Sequence, residues 1–314
     1  MSKTAFLFPG QGAQSVGMGR AFADHDSRLA ELFALADRVT GVALSTLMFQ
    51  GPEDQLTLTE NTQPAMVVTS LAAASLFRQR SGITPDYVAG HSLGEYSAIA
   101  VAGGFSPEDA IRLVRLRGQA MQKAVPPGEG GMAAMLNMPA EQVLEVCQAA
   151  AAETGGVCVA ANFNTAQQIV ISGHKYAVER AVALAKERGG KRCMLLAVSA
   201  PFHCPLMQPA AEVMANALQQ TTIHDLSIPL IANVTAQEVS EGERIRRLLV
   251  EQVTGAVQWE ASVRHLVAAG VGTFIELGNG KVLSGMIKRI DESVRVLSIN
   301  TPEDVDKAVA QLNP

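Results

Sequence analysis

The chain has 314 residues, of which 48% are hydrophobic and 18% are charged, so it can bury a large core in one big domain or in two unequal ones. Its net charge of −5 and its lack of a long basic run argue against nucleic acid as a partner. No apolar stretch reaches the length of a membrane span, and the apolar run before Pro9 is too short for a signal-peptide core, so neither a membrane nor export is expected.

The four cysteines indicate a reducing, cytoplasmic setting. They show neither C-x-x-C spacing nor a nearby histidine pair, which argues against a disulfide framework and against a metal site. These residues are Cys147, Cys158, Cys193 and Cys204.

The predicted elements at both ends of the chain alternate between strand and helix, which is typical of an α/β fold. The first part contains a strand at 4–8, helices between about 16 and 48, a long apolar helix at about 64–79, a strand at 86–89 and a helix at 95–100. The last part contains a helix at 209–219 and strands at 229–232, 273–277 and 294–297, separated by helices. We therefore expect a large domain with a mainly parallel sheet and helices on both faces.

The middle of the chain follows a different order, between a flexible stretch at 126–131 and a break at 199–201. Its predicted elements run β-α-β-β-α-β, the order of the ferredoxin-like unit. They are a strand at 132–136, a helix at 140–152, strands at 157–162 and 168–172, a helix at 176–187 and a strand at 193–198. The prediction is a large domain, residues 1–127 and 199–314, with an inserted small domain, residues 128–198. A ligand is expected in the cleft between them.

A G-x-S-x-G motif from Gly90 to Gly94 lies between the strand at 86–89 and the helix at 95–100, so Ser92 occupies a strand-to-helix corner. The glycines relieve the crowding of a sharp turn, and the new helix directs free N–H groups and its positive dipole end at the same place. This position suits a nucleophile, although a corner of Gly and Ser is also an ordinary way to leave a strand.

A second glycine-rich segment, Pro9 to Gly12, directly follows the first strand. Two nucleotide-binding motifs fail there, since Ser15 stands where a dinucleotide fingerprint needs its third glycine, and Met18 stands where a P-loop needs lysine. The segment is either a plain tight turn or one whose backbone N–H groups face a neighbouring site, as an oxyanion hole requires.

A serine nucleophile needs a base, and His203 is the best placed of the six histidines. It follows the last predicted strand of the small domain, at a hinge that faces the expected cleft. His91 adjoins Ser92 on a sharp turn, where neighbouring side chains diverge. The other four lie in polar contexts that are typical of solvated histidine, namely His25, His174, His224 and His265.

Arg117 lies on the apolar stripe of a helix that begins with Ser106 as its cap and Pro107 at its first position. At about 100° per residue, Arg112 and Arg115 point away from that stripe. A guanidinium that faces the core needs an anionic partner. That partner is either a buried Asp or Glu or a carboxylate that arrives with the substrate.

Five segments of the chain occur together in one known family. They are Gly10-Gln11-Gly12, Gly90-His91-Ser92-Leu93-Gly94-Glu95, Arg117, Asn162-Phe163-Asn164 and Pro201-Phe202-His203. With these segments the chain resembles, over essentially its whole length, the malonyl-CoA:acyl carrier protein transacylases. The resemblance implies ping-pong transfer of a malonyl group from coenzyme A to the phosphopantetheine thiol of acyl carrier protein, for fatty acid synthesis. It implies no permanently bound cofactor and no metal.

The resemblance also implies roles for single residues. Ser92 would be the nucleophile and His203 the base, without an acid to complete a triad. The resemblance implies that the backbone N–H groups of Gln11 and Leu93 form the oxyanion hole and that Arg117 binds the malonyl carboxylate. Gln252 would orient His203 through its backbone carbonyl, and Asn162 would lie in the cleft wall. The bulky side chains of Leu93 and Phe202 would select malonyl over methylmalonyl.

The implied partner is an acidic carrier protein that binds transiently, so a local basic face is expected despite the negative total. Its candidate residues, each of which could equally be a solvated charge, are Lys186, Arg188, Lys191 and Arg192 in the small domain and Lys281, Lys288 and Arg289 opposite. Three alternatives stay open: an acyltransferase that serves a polyketide synthase, a serine esterase or thioesterase, and a non-catalytic scaffold that binds carrier protein. The esterase fits less well, because the chain lacks an H-G-G-G-like loop.

Overall fold

A computed structural model of the chain describes residues 2–198 and 200–312. The strands in this part of the chain form two sheets. The strands are β1 (Lys3–Phe8), β2 (Tyr87–Gly90), β3 (Gly130–Leu136), β4 (Cys158–Thr165), β5 (Gln168–His174), β6 (Arg192–Leu195), β7 (Leu230–Ile231), β8 (Glu238–Val239), β9 (Val271–Leu277) and β10 (Arg295–Ile299).

Helices connect these strands and cover the sheets. The helices are α1 (Arg20–His25), α2 (Ser27–Thr40), α3 (Leu44–Gln50), α4 (Glu53–Thr57), α5 (Thr59–Ser81), α6 (Gly94–Val101), α7 (Pro107–Ala124), α8 (Ala140–Thr154), α9 (Lys175–Glu187), α10 (Gln208–Gln219), α11 (Gly242–Thr254), α12 (Trp259–Ala268), α13 (Val282–Ile290) and α14 (Pro302–Leu312). A short 3₁₀ helix, Pro205–Met207, precedes α10.

The large sheet has the strand order β10-β9-β1-β2-β7-β8. Its strands run parallel except for β8, which pairs antiparallel with β7. The central strand β1 is fully buried from Ala5 to Phe8, and its side chains enter separate apolar cores on the two faces of the sheet. Burial on both faces explains why β1 is a continuous apolar run. The predicted large α/β unit with a mainly parallel sheet is confirmed.

The small sheet is antiparallel and has the strand order β4-β5-β3-β6. Helices α8 and α9 pack on one face, where Ala133 and Met135 of β3 join their core. Met132 alternates to the other face and packs near Phe202. The element order β-α-β-β-α-β confirms the predicted ferredoxin-like insertion.

Two contacts join the small sheet to the rest of the molecule. Gly130, at the start of β3, lies so close to the Pro201 ring that an added Cβ would overlap it. On the opposite side, β4 exchanges backbone hydrogen bonds with Val257, from Phe163 N to Val257 O and from Val257 N to Ala161 O, both 2.9 Å. The predicted domain limits at 127/128 and 198/199 stay a prediction, and Ser199 lies outside the described residues.

The prediction that the long apolar helix begins at about residue 64 is wrong, since α5 begins at Thr59 and contains Pro64 in its second turn. Proline has no N–H and therefore leaves the carbonyl of Glu60 without its helical donor. The Arg115 guanidinium donates to that carbonyl at 2.8 Å and to Asn61 Oδ1 at 2.6 Å. Arg115, predicted to point away from the apolar stripe of its helix, therefore packs against α5.

The predicted strand at 193–198 ends earlier, at Leu195. Leu196 N still donates to Met132 O, but Val198 N then donates to Leu196 O, so the chain turns sharply away from the sheet. The first helix of the chain likewise begins at Arg20 rather than near residue 16.

Three features of residues 2–198 and 200–312 bear on the expectations from composition. No single helix there has both the length and the apolar character needed to cross a membrane, and α2 and α3 meet that test only as a bent pair. Cys147, Cys158, Cys193 and Cys204 are free and buried. No three His, Cys, Asp or Glu side chains in this part of the chain are grouped so that they could hold a metal ion.

Candidate active site

A cavity of about 360 Å³ lies between the two sheets. The large domain contributes Gly10, Ser92 and Arg117 to its walls, and the small domain contributes Asn162. His203 lines it from the segment through which the chain returns to the large domain. The cavity opens beside the carboxyl ends of β1 and β2, where parallel sheets commonly bind ligands.

Ser92 sits at a sharp corner between β2 and α6, and its φ of 53° lies in the left-handed region. Glycine is required on both sides, because a Cβ on Gly90 would overlap Gly94, and one on Gly94 would overlap the carbonyl of Phe8. The Ser92 N–H donates to Asn233 Oδ1 at 2.7 Å, which fixes the corner. A strained residue that its surroundings hold in place is characteristic of functional sites.

The side chains of Ser92 and His203 are hydrogen-bonded, with 2.7 Å between Ser92 Oγ and His203 Nε2. The other ring nitrogen, Nδ1, lies 2.8 Å from Gln252 O and 3.2 Å from Gly255 O. Since carbonyl oxygens only accept, Nδ1 carries the proton and Nε2 accepts from the serine. The carbonyl of Gln252 therefore fixes the tautomer that leaves Nε2 free to take a proton.

His203 is 3% exposed and has a φ of 58°, so the fold holds it as tightly as it holds Ser92. Burial, and to a lesser extent the nearby charge of Arg117, together lower the pKa of His203 to about 3. The imidazole is therefore neutral at pH 7.

Arg117 is 1% exposed and reaches the same point from α7. Its Nη2 donates to Ser92 Oγ at 3.0 Å and to Gln252 Oε1 at 2.8 Å, and its Nη1 donates to Gln63 Oε1 at 2.9 Å. All of these acceptors are neutral, and within residues 2–198 and 200–312 the guanidinium forms no ion pair. Of the two partners left open by the sequence, a buried acid in direct contact is therefore absent from the described residues.

Gln11 and Leu93, whose backbone amides the resemblance implies as an oxyanion hole, both line this cavity. Leu93 precedes the first turn of α6, and Gln11 follows the turn after β1. The Gln11 side chain is held aside by Thr59, whose hydroxyl donates to Oε1 at 2.7 Å. Among the described residues neither backbone N–H has an acceptor, so both are available to a ligand.

The chain is similar in sequence to known acyl transferases. The acyl transferase domain family matches residues 5–302. A malonyl CoA-acyl carrier protein transacylase of Bacillus subtilis (strain 168) is 46% identical over 312 residues, which cover 99% of this chain and 98% of that protein. The chain belongs to the malonyl CoA-acyl carrier protein transacylase family. It is therefore an acyltransferase.

Solved structures agree with this assignment. An acyl-carrier-protein-S-malonyltransferase from Bartonella henselae is 45% identical and superposes with a TM-score of 0.95, covering 99% of this chain and 100% of that one. A structure of a type II PKS acyl-carrier protein in complex with its malonyl-transacylase contains a chain that is 39% identical, with a TM-score of 0.95 and coverages of 99% and 100%. The fold of the family thus extends over the entire cavity described above.

The structure places the remaining predicted residues in or near the cavity. Asn162 and Phe202 both line it. His91, which the sequence did not favour as a base, directs Nε2 to Asn164 Oδ1 at 2.8 Å and away from Ser92. The candidate docking residues are all exposed, and Arg188 also pairs with Glu145 at 3.4 Å.

Three polar residues around the site were not found from the sequence, namely Gln63, Glu95 and Asn233. Gln63 lies on α5, which is buried on nearly all sides. Glu95 belongs to the quoted G-H-S-L-G-E segment but is 2% exposed, which is unusual for an acid. Buried polar residues of this kind are the available signal, because each needs a partner inside the protein.

Proposed function

We propose that the protein transfers a malonyl group from malonyl-CoA to the phosphopantetheine thiol of acyl carrier protein by a ping-pong mechanism. One observation carries this proposal: the Ser92 hydroxyl lies 2.7 Å from His203 Nε2 and 3.0 Å from Arg117 Nη2. A nucleophile, a base and a buried cation thus meet at one oxygen. The names of the relatives support the same substrates.

In the first half-reaction, Ser92 Oγ attacks the thioester carbonyl of malonyl-CoA while His203 Nε2 takes the hydroxyl proton. The carbonyl oxygen becomes an oxyanion and accepts hydrogen bonds from the backbone N–H groups of Gln11 and Leu93, each contributing about 2.7–4 kcal/mol in enzymes of known mechanism. The C–S bond then breaks, and the protonated His203 gives its proton to the departing sulfur. The products are free coenzyme A and a malonyl ester on Ser92.

In the second half-reaction, the carrier thiol enters in place of coenzyme A. His203 takes the thiol proton, the sulfur attacks the ester carbonyl, and the oxyanion again lies at Gln11 and Leu93. When the C–O bond breaks, His203 returns the proton to Ser92 Oγ. The enzyme is restored, and malonyl is held on the carrier.

Arg117 explains why the acyl group is a dicarboxylic one. The carboxylate of a malonyl ester lies only one methylene beyond the acyl carbon, and Arg117 Nη2 is 3.0 Å from the oxygen that holds that carbon. A bound carboxylate also offsets the positive charge that lowers the pKa of His203, so the base becomes stronger when a malonyl group arrives. Phe202 and Leu93 border the cavity and would crowd a methyl branch on the middle carbon.

Carrier protein would dock at the cavity mouth. Val282 lines the cavity and follows Lys281, which is exposed. Lys288 and Arg289 continue the basic surface on α13, and Arg192 lies across the cleft on β6. These charges are suited to an acidic partner that binds briefly and leaves. The cytoplasmic setting stays a prediction.

Intact-mass analysis tests the nucleophile. Brief incubation with malonyl-CoA is expected to add one malonyl group to the wild-type protein and to Ser75→Ala, in which an exposed serine is removed, but none to Ser92→Ala. The proposal is contradicted if the wild-type protein gains no malonyl mass, or if Ser92→Ala gains it.

A second experiment separates the alternative reactions. The malonyl enzyme is offered carrier proteins from fatty acid and polyketide synthesis, and free malonate is measured alongside transfer. Transfer to the fatty acid carrier supports the proposal, and preference for the polyketide carrier favours the role suggested by the type II PKS complex. Release mainly as malonate identifies a thioesterase.

A further inference from the structure

Glu95 is a buried carboxyl that takes no part in the mechanism above. It lies in the first turn of α6, is 2% exposed, and forms no ion pair with any residue in 2–198 or 200–312. Its Oε1 accepts from Asn233 N at 3.0 Å, and its Oε2 accepts from Gln252 Nε2 at 2.6 Å. Burying a carboxylate without a cation in contact with it costs free energy, so the presence of an acid at this position needs a physical reason.

Gln252 connects Glu95 to the reacting groups. Its side chain is fully buried, donates through Nε2 to Glu95 Oε2 and to Ser92 O at 2.8 Å, and accepts through Oε1 from Arg117 Nη2. Its backbone carbonyl accepts from His203 Nδ1. One glutamine thus contacts the base, the corner of the serine and the cation.

The orientation of the Gln252 amide decides whether Arg117 has an acceptor. If the amide turned over, Nε2 would face the N–H of Arg117 and Oε1 would face two oxygens, those of Ser92 and Glu95. A carboxylate only accepts hydrogen bonds, whereas a neutral amide both donates and accepts. Glu95 as a carboxylate therefore enforces the orientation in which Oε1 faces the guanidinium.

We infer that Glu95 is a positioning residue that, through the side chain of Gln252, holds Arg117 against Ser92 in the orientation needed to bind a malonyl carboxylate. The inference rests on the proposed function, because it assigns to Arg117 the carboxylate of the substrate. The N–H bonds to both oxygens favour the carboxylate, although burial raises the pKa of Glu95 to about 7. The tests are therefore made at a pH of about 8, above that pKa.

Glu95→Gln is the first test, since it keeps the shape and removes the charge. Facing two N–H donors, the new amide can accept from only one of them, and Gln252 loses its fixed orientation. The ratio of kcat/KM for malonyl-CoA to that for acetyl-CoA is expected to fall about tenfold or more, the effect of losing one charge-assisted hydrogen bond. Glu276→Gln is the matched control, because Glu276 is a fully buried carboxyl that caps α13 and does not contact Arg117.

A double-mutant cycle distinguishes positioning from general stability. If Glu95 acts through Arg117, then Glu95→Gln changes the malonyl-to-acetyl ratio in the wild-type protein but by less than about twofold in Arg117→Met. Equal losses for the two acyl groups, or the same change of ratio in both backgrounds, overturn the inference. The inference is also overturned if the malonyl-to-acetyl ratio of kcat/KM falls as far in Glu276→Gln as it does in Glu95→Gln.

Glu95→Asp covers the case in which the glutamine variant does not fold. It keeps the charge but is one methylene too short to reach both Asn233 N and Gln252 Nε2. The ratio is expected to fall by less than in a neutral variant but in the same direction, and an unchanged ratio overturns the inference. Failure of the proposed function is seen separately, because the wild-type protein would then form no malonyl ester at all.

Discussion

Replacing Arg117 with methionine tests what makes the site prefer an acyl group that carries a carboxylate. Methionine leaves an unbranched side chain in the buried position and removes the hydrogen bonds to Gln63, Ser92 and Gln252. The matched control is Arg112→Met, because Arg112 lies on the same helix with its side chain 43% exposed.

The expected magnitude follows from the bonds that are lost. A hydrogen bond to a charged group contributes about 1.5–3 kcal/mol, and a bidentate guanidinium–carboxylate pair has two, so malonyl loses about 3–6 kcal/mol more than acetyl does. At about 1.4 kcal/mol for each factor of ten, the malonyl-to-acetyl ratio of kcat/KM falls about 10²–10⁴-fold. Acetyl transfer also slows, by a smaller factor, because the 3.0 Å bond from Nη2 to Ser92 Oγ is removed for both acyl groups.

The assay is the rate of ester formation on Ser92 with each thioester, followed by intact mass after rapid quenching. Thermal unfolding of both arginine variants shows whether the fold is kept. If Arg117→Met slows malonyl and acetyl equally in a folded protein, the guanidinium does not bind the carboxylate, and the reasoning from its position is refuted.

Three further predictions concern His203 and the serine corner. Because burial and Arg117 lower the pKa of His203 to about 3, kcat/KM for acylation by acetyl-CoA, which has no carboxylate for Arg117 to bind, should stay level from about pH 8 to about pH 5, and a tenfold loss near pH 5.5, as for a solvated imidazole, would contradict this. The unfolded histidine takes up a proton below about pH 6.5 and the folded one does not, so His203 by itself makes the free energy of unfolding fall by about 2 kcal/mol between pH 6.5 and 5. Urea unfolding of His203→Gln should lack that part of the fall. Gly94→Ala forces a Cβ onto the Phe8 carbonyl and should cost about 1–3 kcal/mol of stability and slow acylation. The control is Gly285→Ala, in which nothing lies within 4 Å of the new Cβ. Its stability should be unchanged or slightly higher. Equal melting temperatures for the two alanine variants would refute the steric argument.

Local patterns in the sequence predicted the parts of the site that are built locally. The corner at Ser92 follows from glycines two positions to either side, and the inward direction of Arg117 follows from the period of a single helix. The alternation of strands and helices was likewise enough for both sheets.

The polar network beneath the site could not be found in this way. Glu95 contacts Gln252 and Asn233, which lie 157 and 138 positions away along the sequence. The repeat of a single helix or strand cannot relate residues so far apart. The same reason explains the misplaced start of α5. A proline inside a helix is unfavourable by local propensity, and only the guanidinium of Arg115, 55 positions away, provides the donor for Glu60 O.

The placement of the small domain within the large one has a consequence for synthesis of the protein. Ser92 leaves the ribosome before the insertion, His203 after it, and Gln252 a further 49 positions later. A nascent chain that has not been translated as far as residue 203 therefore contains Ser92 without the imidazole to which it is hydrogen-bonded in the folded protein. The carbonyls that lie beside His203 Nδ1, those of Gln252 and Gly255, come later still, so this hydrogen-bonded group can assemble only after translation has passed residue 255.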